Sequence, residues 1–371
     1  MGDFWSMLKK ISETLSGETS RLLKRSRNAM RLITGSLPRV GQTPHHVVFQ
    51  RNKMSLLRYE CPKDTANPED NGTETIPEEL RTERSNIPIL IVPSVINRHY
   101  ILDLQKDRSF VEYLVKQGFD VFVISWGKVT EEDRYQTFDD YIEMLVEPSV
   151  RRICRFTGHD KIHLVGHCLG GIMALPYAAL YPERIASFLN LTGPVDLRHG
   201  GILRRWTDSM DVDVMVDALG NAPWPLLQTT FHMMKPMGLL QKTAWFYEQL
   251  WKSDVVDSFV ALETWANDNV SLSGEFFRTY IKEIYQKNAL YNGTLIVRGR
   301  RVDLSKITVP VYNVAAKNDH IATEASVLAL KDVVPQTENL VVYGGHVGVV
   351  VSRSASKKVW PKIVAFFDSI S

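Results

Sequence analysis

The amino-acid sequence predicts an α/β fold, in which a mostly parallel sheet is covered by helices on both faces. One observation is a series of short runs rich in β-branched residues with little polar alternation, which is typical of strands buried on both faces. A second is that helical patterns alternate with these runs. The predicted strands cover residues 47–60, 87–95, 119–126, 162–166, 187–191, 309–315 and 339–342, and the predicted helices cover residues 109–117, 138–156, 171–180, 322–333 and 354–367.

The size and composition are those of an ordinary globular protein. The chain has 371 residues, of which 44% are hydrophobic and 23% are charged, so it can bury a large core without disulfide or metal support. Its cysteines, Cys61, Cys154 and Cys168, are too few for a disulfide framework and indicate a reducing, cytoplasmic environment. The formal net charge of +2 argues against a nucleic-acid partner. Apolar runs fall short of the roughly 18 residues that a membrane span needs.

We predict two parts of the chain, an N-terminal helical and basic segment (residues 1–42) and a main α/β domain (residues 43–371). Within the main domain the strand–helix alternation breaks at about residues 198–290, where no strand pattern is clear. That stretch is rich in large apolar residues, among them Trp206, Trp224, Trp245, Trp251 and Trp265. We interpret it as a mainly helical insertion that caps the sheet, with Trp265 as a residue that lines the site.

The N-terminal segment differs in pattern from the rest of the chain. Its apolar residues recur at three- and four-residue steps, which indicates one face of an amphipathic helix. That stripe consists of Phe4, Trp5, Leu8, Ile11 and Leu15, and a cluster of basic residues follows between positions 21 and 31. Two interpretations stay open: the helix docks on a partner or a lipid-like surface, or it packs on its own domain with its basic face in solvent.

The most specific local motif is Gly166-His-Cys-Leu-Gly-Gly171, which leaves a predicted strand and enters a predicted helix. This is the layout of the nucleophile elbow of the α/β-hydrolase fold, with Cys168 where serine is more usual. Glycines on both sides let neighbouring backbone pass close to the turn, and the dipole of the following helix favours a thiolate at its N-terminus. The alternative is an inert cysteine on a glycine-rich turn, but the strand–turn–helix context favours a nucleophile.

A cysteine nucleophile needs a base and an acid that orients it, and in this fold the acid precedes the histidine along the chain. The run 309–315 is followed by Asp319 and His320, and the run 339–342 is followed by His346 among glycines. Because catalytic groups gather at the carboxyl ends of parallel strands, we predict Cys168, Asp319 and His346 as a triad. His320 is the rival base, or a residue lining the site, but His346 alone occupies the loop after the last predicted strand.

No pattern indicates a metal or a cofactor. His159, His163 and His167 are four residues apart, which on a helix would place them on one metal-binding face. The segment has the pattern of a strand entering the elbow, so we do not expect these side chains to converge. The glycine patterns that bind nucleotides do not occur in the sequence. Cys61 and Cys154 are interpreted as structural.

These motifs resemble the polyhydroxyalkanoate synthases, which polymerise (R)-3-hydroxyacyl-coenzyme A into storage polyester. Residues 166–171 resemble the cysteine-containing lipase box of that family, and the likeness extends from about Thr43 to the C-terminus. Similar segments are 93–104, 109–114 with 119–126, 219–221, 274–278, 285–288, 302–304, 319–320 and 345–348. The sequence departs from the family pattern at Ser94, Val95 and His167, which leaves the substrate preference open. The short N-terminal region resembles the two-component synthase classes, and residues 297–304 and 319–322 resemble the Bacillus-type class.

The resemblance implies a role for each predicted site residue. Cys168 would carry the acyl group as a thioester, His346 would be the general base and Asp319 would orient it. The oxyanion would be bound by the backbone N–H of Leu169 and by one from the Val95–Ile96 turn. Coenzyme A enters as part of the substrate, so no separate cofactor is expected.

The resemblance also implies partners and a location. The partners are (R)-3-hydroxyacyl-coenzyme A, the growing polyester chain with its granule surface, and a small accessory subunit; self-association stays open. The location is cytoplasmic, at storage granules. The main alternative is a cysteine-dependent hydrolase of the same fold, a polyester depolymerase or a thioesterase, which would use the same triad. A third interpretation is a non-catalytic granule protein with an inert Cys168.

Overall fold

The computed structural model describes residues 2–35, 38–60, 86–234 and 237–370, with side chains from residue 18 onwards except at residue 239. Its strands are β1 (His45–Arg51), β2 (Met54–Tyr59), β3 (Ile89–Val92), β4 (Val121–Ser125), β5 (Ile162–His167), β6 (Ile185–Leu191), β7 (Ile296–Val297), β8 (Arg300–Arg301), β9 (Val311–Ala316) and β10 (Thr337–Val342). Cys61 lies outside the described residues.

The helices follow the strands in alternation over most of the chain. They are α1 (Gly2–Ile33), α2 (Phe110–Lys116), α3 (Phe138–Asp140), α4 (Glu147–Thr157), α5 (Leu169–Leu180), α6 (Gly201–Asp208), α7 (Val212–Leu219), α8 (Trp224–Met233), α9 (Gly238–Gln249), α10 (Ser253–Asn267), α11 (Gly274–Thr279), α12 (Glu324–Leu328), α13 (Leu330–Val333), α14 (Gly348–Val351), α15 (Arg353–Lys358) and α16 (Trp360–Asp368). Two π-helical segments, Tyr141–Val146 and Tyr280–Gln286, continue α3 and α11.

Eight strands form one sheet in the order β1-β2-β4-β3-β5-β6-β9-β10. All neighbours from β4 to β10 run parallel, whereas β1–β2 and β2–β4 are antiparallel. Strands β3, β5, β6 and β9 are buried along their whole length, which explains their lack of polar alternation. The predicted class, a mostly parallel sheet covered by helices, is confirmed.

The first predicted strand, residues 47–60, is a hairpin rather than one strand. β1 and β2 pair antiparallel across a turn that contains Asn52. Asn52 has a φ of 52°, a left-handed conformation that asparagine tolerates better than most residues. The hairpin therefore adds an antiparallel edge to the parallel sheet.

Apolar side chains form a separate cluster on each face of the sheet. Successive residues of β5 point to opposite faces, so Leu164 belongs to a cluster with Ile172 of α5. Val165 belongs to the other cluster, together with Phe110 of α2 and Trp360 of α16. Each helix layer thus buries one face of the same central strands.

The insertion predicted at about residues 198–290 is mainly helical and consists of α6–α11 with the second π-helical segment. We call it the cap. It is joined to the loop after β3, where Asn97 pairs with Asn269 and the N–H of Val270 donates to the carbonyl of Ile96 at 3.0 Å. These bonds fix the end of α10 beside the carboxyl ends of the central strands.

The C-terminal half of α1 packs on the cap. Asn28 is fully buried and donates from Nδ2 to the carbonyl of Leu250 at 2.7 Å, and Arg31 pairs with Asp257 at 2.8 Å. The side chains of the apolar stripe between residues 4 and 15 lie outside the described part. Although α1 has 32 residues, neither it nor another described helix is apolar enough to cross a membrane.

Candidate active site

Cys168 occupies a strained turn between β5 and α5. Its φ and ψ are 57° and −126°, a region that costs a non-glycine residue about 1–3 kcal/mol. The turn is held because the N–H of Cys168 donates to the carbonyl of Leu191 and its carbonyl accepts from the N–H of Gly171, both at 2.9 Å. The side chain is only partly buried. The turn thus places the Cys168 side chain at the end of a central strand.

Glycines at the elbow are required by close packing of backbone. A Cβ on Gly166 would lie 2.5 Å from the Cα of Gly171, and one on Gly170 would overlap the carbonyl oxygen of Val92. Ordinary carbon contacts need about 3.5–4.0 Å, so neither position has room for a side chain. The close approach of Gly170 to Val92 places the first turn of α5 directly against the end of β3 and the loop that follows it.

Asp319 connects two loops at the ends of β9 and β10. Its Oδ1 accepts from the N–H groups of Ile321 and Ala322, at 2.8 and 3.0 Å. Its Oδ2 accepts a 2.6 Å hydrogen bond from Nδ1–H of His346. One carboxylate oxygen therefore fixes its own loop, and the other orients the imidazole.

The His346 ring is suited to hold a proton. Its side chain is 9% exposed, and this burial by itself would lower its pKa. The Cys168 sulfur and the Asp319 carboxylate outweigh that cost and raise the pKa of His346 to about 10. Since Nδ1 is bound to Asp319, the buried Nε2, which makes no hydrogen bond to another described residue, is the nitrogen left for Cys168.

An apolar cavity of about 210 Å³ is lined by both Cys168 and His346. Its other walls come from the loop after β3, including Ile96, and from the cap. Trp265, at the end of α10, lines it as well and donates from Nε1 to the carbonyl of Arg98 at 2.8 Å. The structure thus brings Trp265 to the two reactive groups, as the sequence predicted.

The second lining residue predicted from the sequence, His320, lies elsewhere. Its side chain is exposed, although its neighbour Asp319 is buried, and it is not among the residues that line the cavity. The loop after β9 consists of turns and bends, in which the Asp319 side chain faces inward and that of His320 faces solvent, so adjacency to the acid in sequence does not place His320 in the site.

The predicted oxyanion donors belong to the two segments in contact at the elbow. Leu169 is the first residue of α5, and the first N–H groups of a helix have no carbonyl partner within it. Val95 and Ile96 belong to the loop after β3, and the N–H of Ile96 donates to Oγ of Ser94 at 3.3 Å. Because the N–H of Ile96 already has a partner, Val95 is the better candidate from this loop, and Leu169 is the candidate from α5.

Sequence patterns did not indicate every residue near the sulfur. Tyr280 and Tyr285 lie in the second π-helical segment with their rings 5.2 Å apart. Burial raises the pKa of both phenols, to about 12 for Tyr285, and the nearby Cys168 adds to this. His167 lines the cavity too. For Tyr280 the only signal was a short stretch of aromatic residues, which ordinary core packing also produces, whereas Tyr285 begins one of the segments that resemble the synthase family.

Among the described residues, no three His, Cys, Asp or Glu side chains gather as a metal site. Of the three evenly spaced histidines, His163 is fully buried and pairs through Nδ1 with Oγ of Ser187 at 2.7 Å. His167 points into the cavity instead. Both histidines lie on the same face of β5, but four residues of strand separate them by about 13 Å, which is too far for them to share a metal ion.

A mostly parallel sheet with a nucleophile elbow and an Asp–His pair at later strand ends defines the α/β hydrolase class. The model of the alpha/beta hydrolase fold family matches residues 87–352. Among solved structures, a lipase candidate from Sulfolobus solfataricus is similar with a TM-score of 0.53 and 15% identity, covering 90% of this chain and 96% of that one. A candidate non-heme bromoperoxidase, BpoC, from Mycobacterium tuberculosis has a TM-score of 0.50 and 12% identity, with 77% and 93% covered. These similarities show the fold alone.

Within this class the chain belongs to the poly(3-hydroxyalkanoate) polymerase family. It is 36% identical to the polymerase subunit PhaC of Allochromatium vinosum, over 87% of this chain and 88% of that protein. The PhaC subunit of Synechocystis sp. is 33% identical, with 87% and 84% covered. The PhaC subunit of Haloferax mediterranei is 34% identical over 88% of this chain, which spans 64% of the length of that relative.

Proposed function

We propose that this protein polymerises (R)-3-hydroxyacyl-coenzyme A into polyhydroxyalkanoate, with Cys168 carrying the growing chain. The observation that carries the proposal is the placement of Cys168 and of the Asp319-bound His346 in one apolar cavity, in a chain that belongs to the polymerase family. The thioester supplies its own activation, so the proposed reaction uses no cofactor.

Before the first step Nε2 of His346 holds the proton of the Cys168 thiol, in line with the raised pKa of His346, and the sulfur attacks the thioester carbonyl. The bond between that carbon and the coenzyme A sulfur breaks, and the departing sulfur takes the proton from His346. One thioester replaces another, so the acyl group remains activated. Asp319 keeps the imidazole oriented throughout, since its Oδ2 holds Nδ1.

In the second step a 3-hydroxyl group gives its proton to Nε2 of His346 and attacks the acyl carbonyl. The new ester extends the polymer by one unit, the thioester bond to Cys168 breaks, and the released sulfur is left beside the His346 that now holds the proton. The negative charge on the carbonyl oxygen would be bound by the N–H groups of Leu169 and Val95. Loss of one such donor costs about 2.7–4 kcal/mol in transition-state stabilisation.

A hydrolase of the same fold is the competing function, because water could replace the hydroxyl in the second step. Two features of the site favour the polymerase. A cysteine keeps the acyl group at the energy of a thioester, whereas the serine that α/β hydrolases more often carry would store it as an ester no more reactive than the polymer. The cavity wall is also mainly apolar and includes Ile96, Phe231 and Trp265, which disfavour water beside the sulfur.

The test is incubation of the purified protein with (R)-3-hydroxybutyryl-coenzyme A, following released thiol and insoluble polymer together. We expect both to appear in step, and neither with Cys168→Ala. The matched control is Cys154→Ala, because Cys154 is buried in α4 outside the cavity. Thiol release that yields free hydroxy acid without polymer would refute the polymerase and support a hydrolase.

We further propose that the protein works at the granule surface with a small accessory subunit, as expected for a two-component synthase of the Bacillus-type class. The apolar stripe of α1 is the proposed contact, because residues 21–31 already bind the cap through Asn28 and Arg31. Self-association and a cytoplasmic location belong to the same proposal.

Deleting residues 2–17 tests the contact while retaining the described bonds of α1. We expect Cys168 to react with iodoacetamide as before, and stimulation by the accessory subunit or binding to granules to fall. A second variant, which keeps the full length of the chain, replaces the stripe residues Phe4, Trp5 and Leu8 with alanine. Partner response and granule binding both unchanged in the two variants would contradict docking through the stripe.

A further inference from the structure

His167, the last residue of β5, is buried beside the reacting groups without a partner of its own. Its side chain is 3% exposed, and neither Nδ1 nor Nε2 hydrogen-bonds to another described residue. Buried polar side-chain atoms nearly always have a partner, because an unpaired one has lost its hydration with nothing in return. An imidazole with two unpaired nitrogens therefore indicates a place where a polar group binds.

The position of His167 shows which group it can reach. The residue adjoins Cys168 in the chain and lines the same cavity. Its ring centroid lies 6.0 Å from that of His346, with 31° between the planes. A hydroxyacyl group on the Cys168 sulfur carries its hydroxyl only two carbons beyond the thioester carbon. That hydroxyl must lie in the small volume between the sulfur and the rings of His167 and His346.

The charge state of His167 restricts its partner to a neutral group. Burial, together with the smaller effect of the neighbouring His346, lowers the pKa of His167 to about 3. The ring is therefore neutral at pH 7, with one nitrogen that donates and one that accepts. A hydroxyl can both donate and accept, so it matches either nitrogen. The neutral His167 ring itself offers no opposite charge to a carboxylate or to an ammonium group, so a hydroxyl is the better match for it.

We propose that His167 binds the 3-hydroxyl group of the hydroxyacyl substrate and so selects 3-hydroxyacyl thioesters over acyl thioesters that lack the hydroxyl. The inference rests on the proposed function, because it concerns the substrate of the same site. His167 exchanges no proton in this role. It replaces the water that the hydroxyl loses on entering the apolar cavity, and it fixes the direction of the acyl chain relative to His346.

The test compares acylation of Cys168 by (R)-3-hydroxybutyryl-coenzyme A and by butyryl-coenzyme A, which differ only in the hydroxyl. Coenzyme A released in the first turnover and the mass of acylated Cys168 are the readouts. The variants are His167→Phe, which keeps a planar ring without nitrogens, and His167→Asn and His167→Gln, which place an amide near Nδ1 or Nε2. His320→Phe is the matched control, because His320 is exposed outside the cavity.

For His167→Phe we expect acylation by the hydroxyacyl thioester to fall by about tenfold or more, and acylation by butyryl-coenzyme A to change little. One of the two amide variants should recover part of the discrimination. Equal losses with both thioesters in all three variants would show that His167 only supports the elbow or holds a water molecule. Unchanged preference in a variant that still labels at Cys168 would equally overturn the proposal.

The outcome is separable from that of the proposed function. Polymer formation by the native protein tests the polymerase, whereas preference in the first acylation tests His167. A native protein that releases free hydroxy acid would refute the polymerase, yet the comparison of the two thioesters would still show whether His167 reads the hydroxyl.

Discussion

The central sheet and the cap contribute to the same cavity but are built in different ways. Strands β3, β5, β6 and β9 are buried along their whole length, and the side chains of Asn190, Asn313 and Asn339 form hydrogen bonds of 2.9 and 2.7 Å across β6, β9 and β10. Helices α8 and α9 of the cap leave large apolar side chains in solvent. These include Trp224, Met233, Leu240 and Trp245.

The difference indicates that the sheet is the more rigid region and the cap the more adaptable one. Close packing in the sheet fixes the strand ends, and with them the positions of Cys168, Asp319 and His346, because displacing one buried strand would disturb the others. The cap supplies Phe231 and Trp265 to the cavity wall. Helices with few buried contacts open locally at lower cost. We therefore expect the proposed chemistry to depend on the sheet, and the entry of substrate to depend on the cap.

The largest expected effect comes from replacing Cys168, the proposed nucleophile, which is held by the sheet. Cys168→Ala should remove activity completely, because Cys168 is the only thiol among the described residues that line the cavity. Iodoacetamide should inactivate the native protein by modifying Cys168 before Cys154, which is buried; peptide mass spectrometry gives the order. Equal labelling of the two thiols would mean that the turn at Cys168 does not make its sulfur more accessible or more reactive than that of Cys154.

The two histidines near the acid provide the next test of the sheet end. His346→Gln should lower the polymerisation rate by about 10²–10⁴-fold, as the loss of a general base does. His320→Gln should leave the rate close to that of the native protein, because His320 is exposed. Steady-state rates of thiol release measure both. If the losses were reversed, the loop after β10 would not carry the base.

Replacing one tryptophan beneath the sheet and one on the cap compares how firmly the two regions are packed. Trp360 is 2% exposed beneath the sheet, and Trp245 is 49% exposed on α9. Trp360→Ala should lower the free energy of unfolding by about 3–5 kcal/mol, whereas Trp245→Ala should lower it by about 1 kcal/mol or less. Urea unfolding gives both values. Similar losses would show that the cap is packed as firmly as the sheet.

A single methyl group tests the close approach at the elbow. Gly170→Ala places a Cβ against the carbonyl of Val92, and such overpacking should cost about 1–3 kcal/mol of stability. Gly348→Ala is the matched control, since its Cβ would meet nothing within 4 Å. Thermal unfolding of the two variants should therefore differ, with Gly348→Ala as stable as the native protein. Equal stability would place the first turn of α5 farther from β3.

The smallest expected effect is a change of titration within the site. Asp319→Asn removes the carboxylate that helps to raise the pKa of His346 to about 10, so the imidazole should lose its proton at a lower pH than in the native protein. Nitrogen NMR of labelled histidines measures the shift, with His346→Gln assigning the signal. In the native protein His346 should stay charged as the pH rises from 7 to 9, while His167 stays neutral. If the pKa of His346 were the same in Asp319→Asn as in the native protein, the Asp319 carboxylate would not be a cause of the raised pKa.

The sequence by itself determined the fold class and singled out three candidate site residues, because both depend on local patterns. Runs of β-branched residues report burial on both faces, and glycine spacing at 166–171 reports a tight turn between a strand and a helix. Since catalytic groups of parallel sheets stand at strand ends, chain order was enough to predict Cys168, Asp319 and His346 as a triad.

Only the tertiary structure decided the relations between distant segments. Asp319 and His346 are 27 residues apart, and their bond depends on β9 and β10 being neighbours, which no local pattern encodes. The exposure of His320, the packing of α1 on the cap and the unpaired burial of His167 were likewise outside the reach of the sequence. Periodicity tells which face of an element is buried, but the groups that meet on that face are set by how the elements pack around one another.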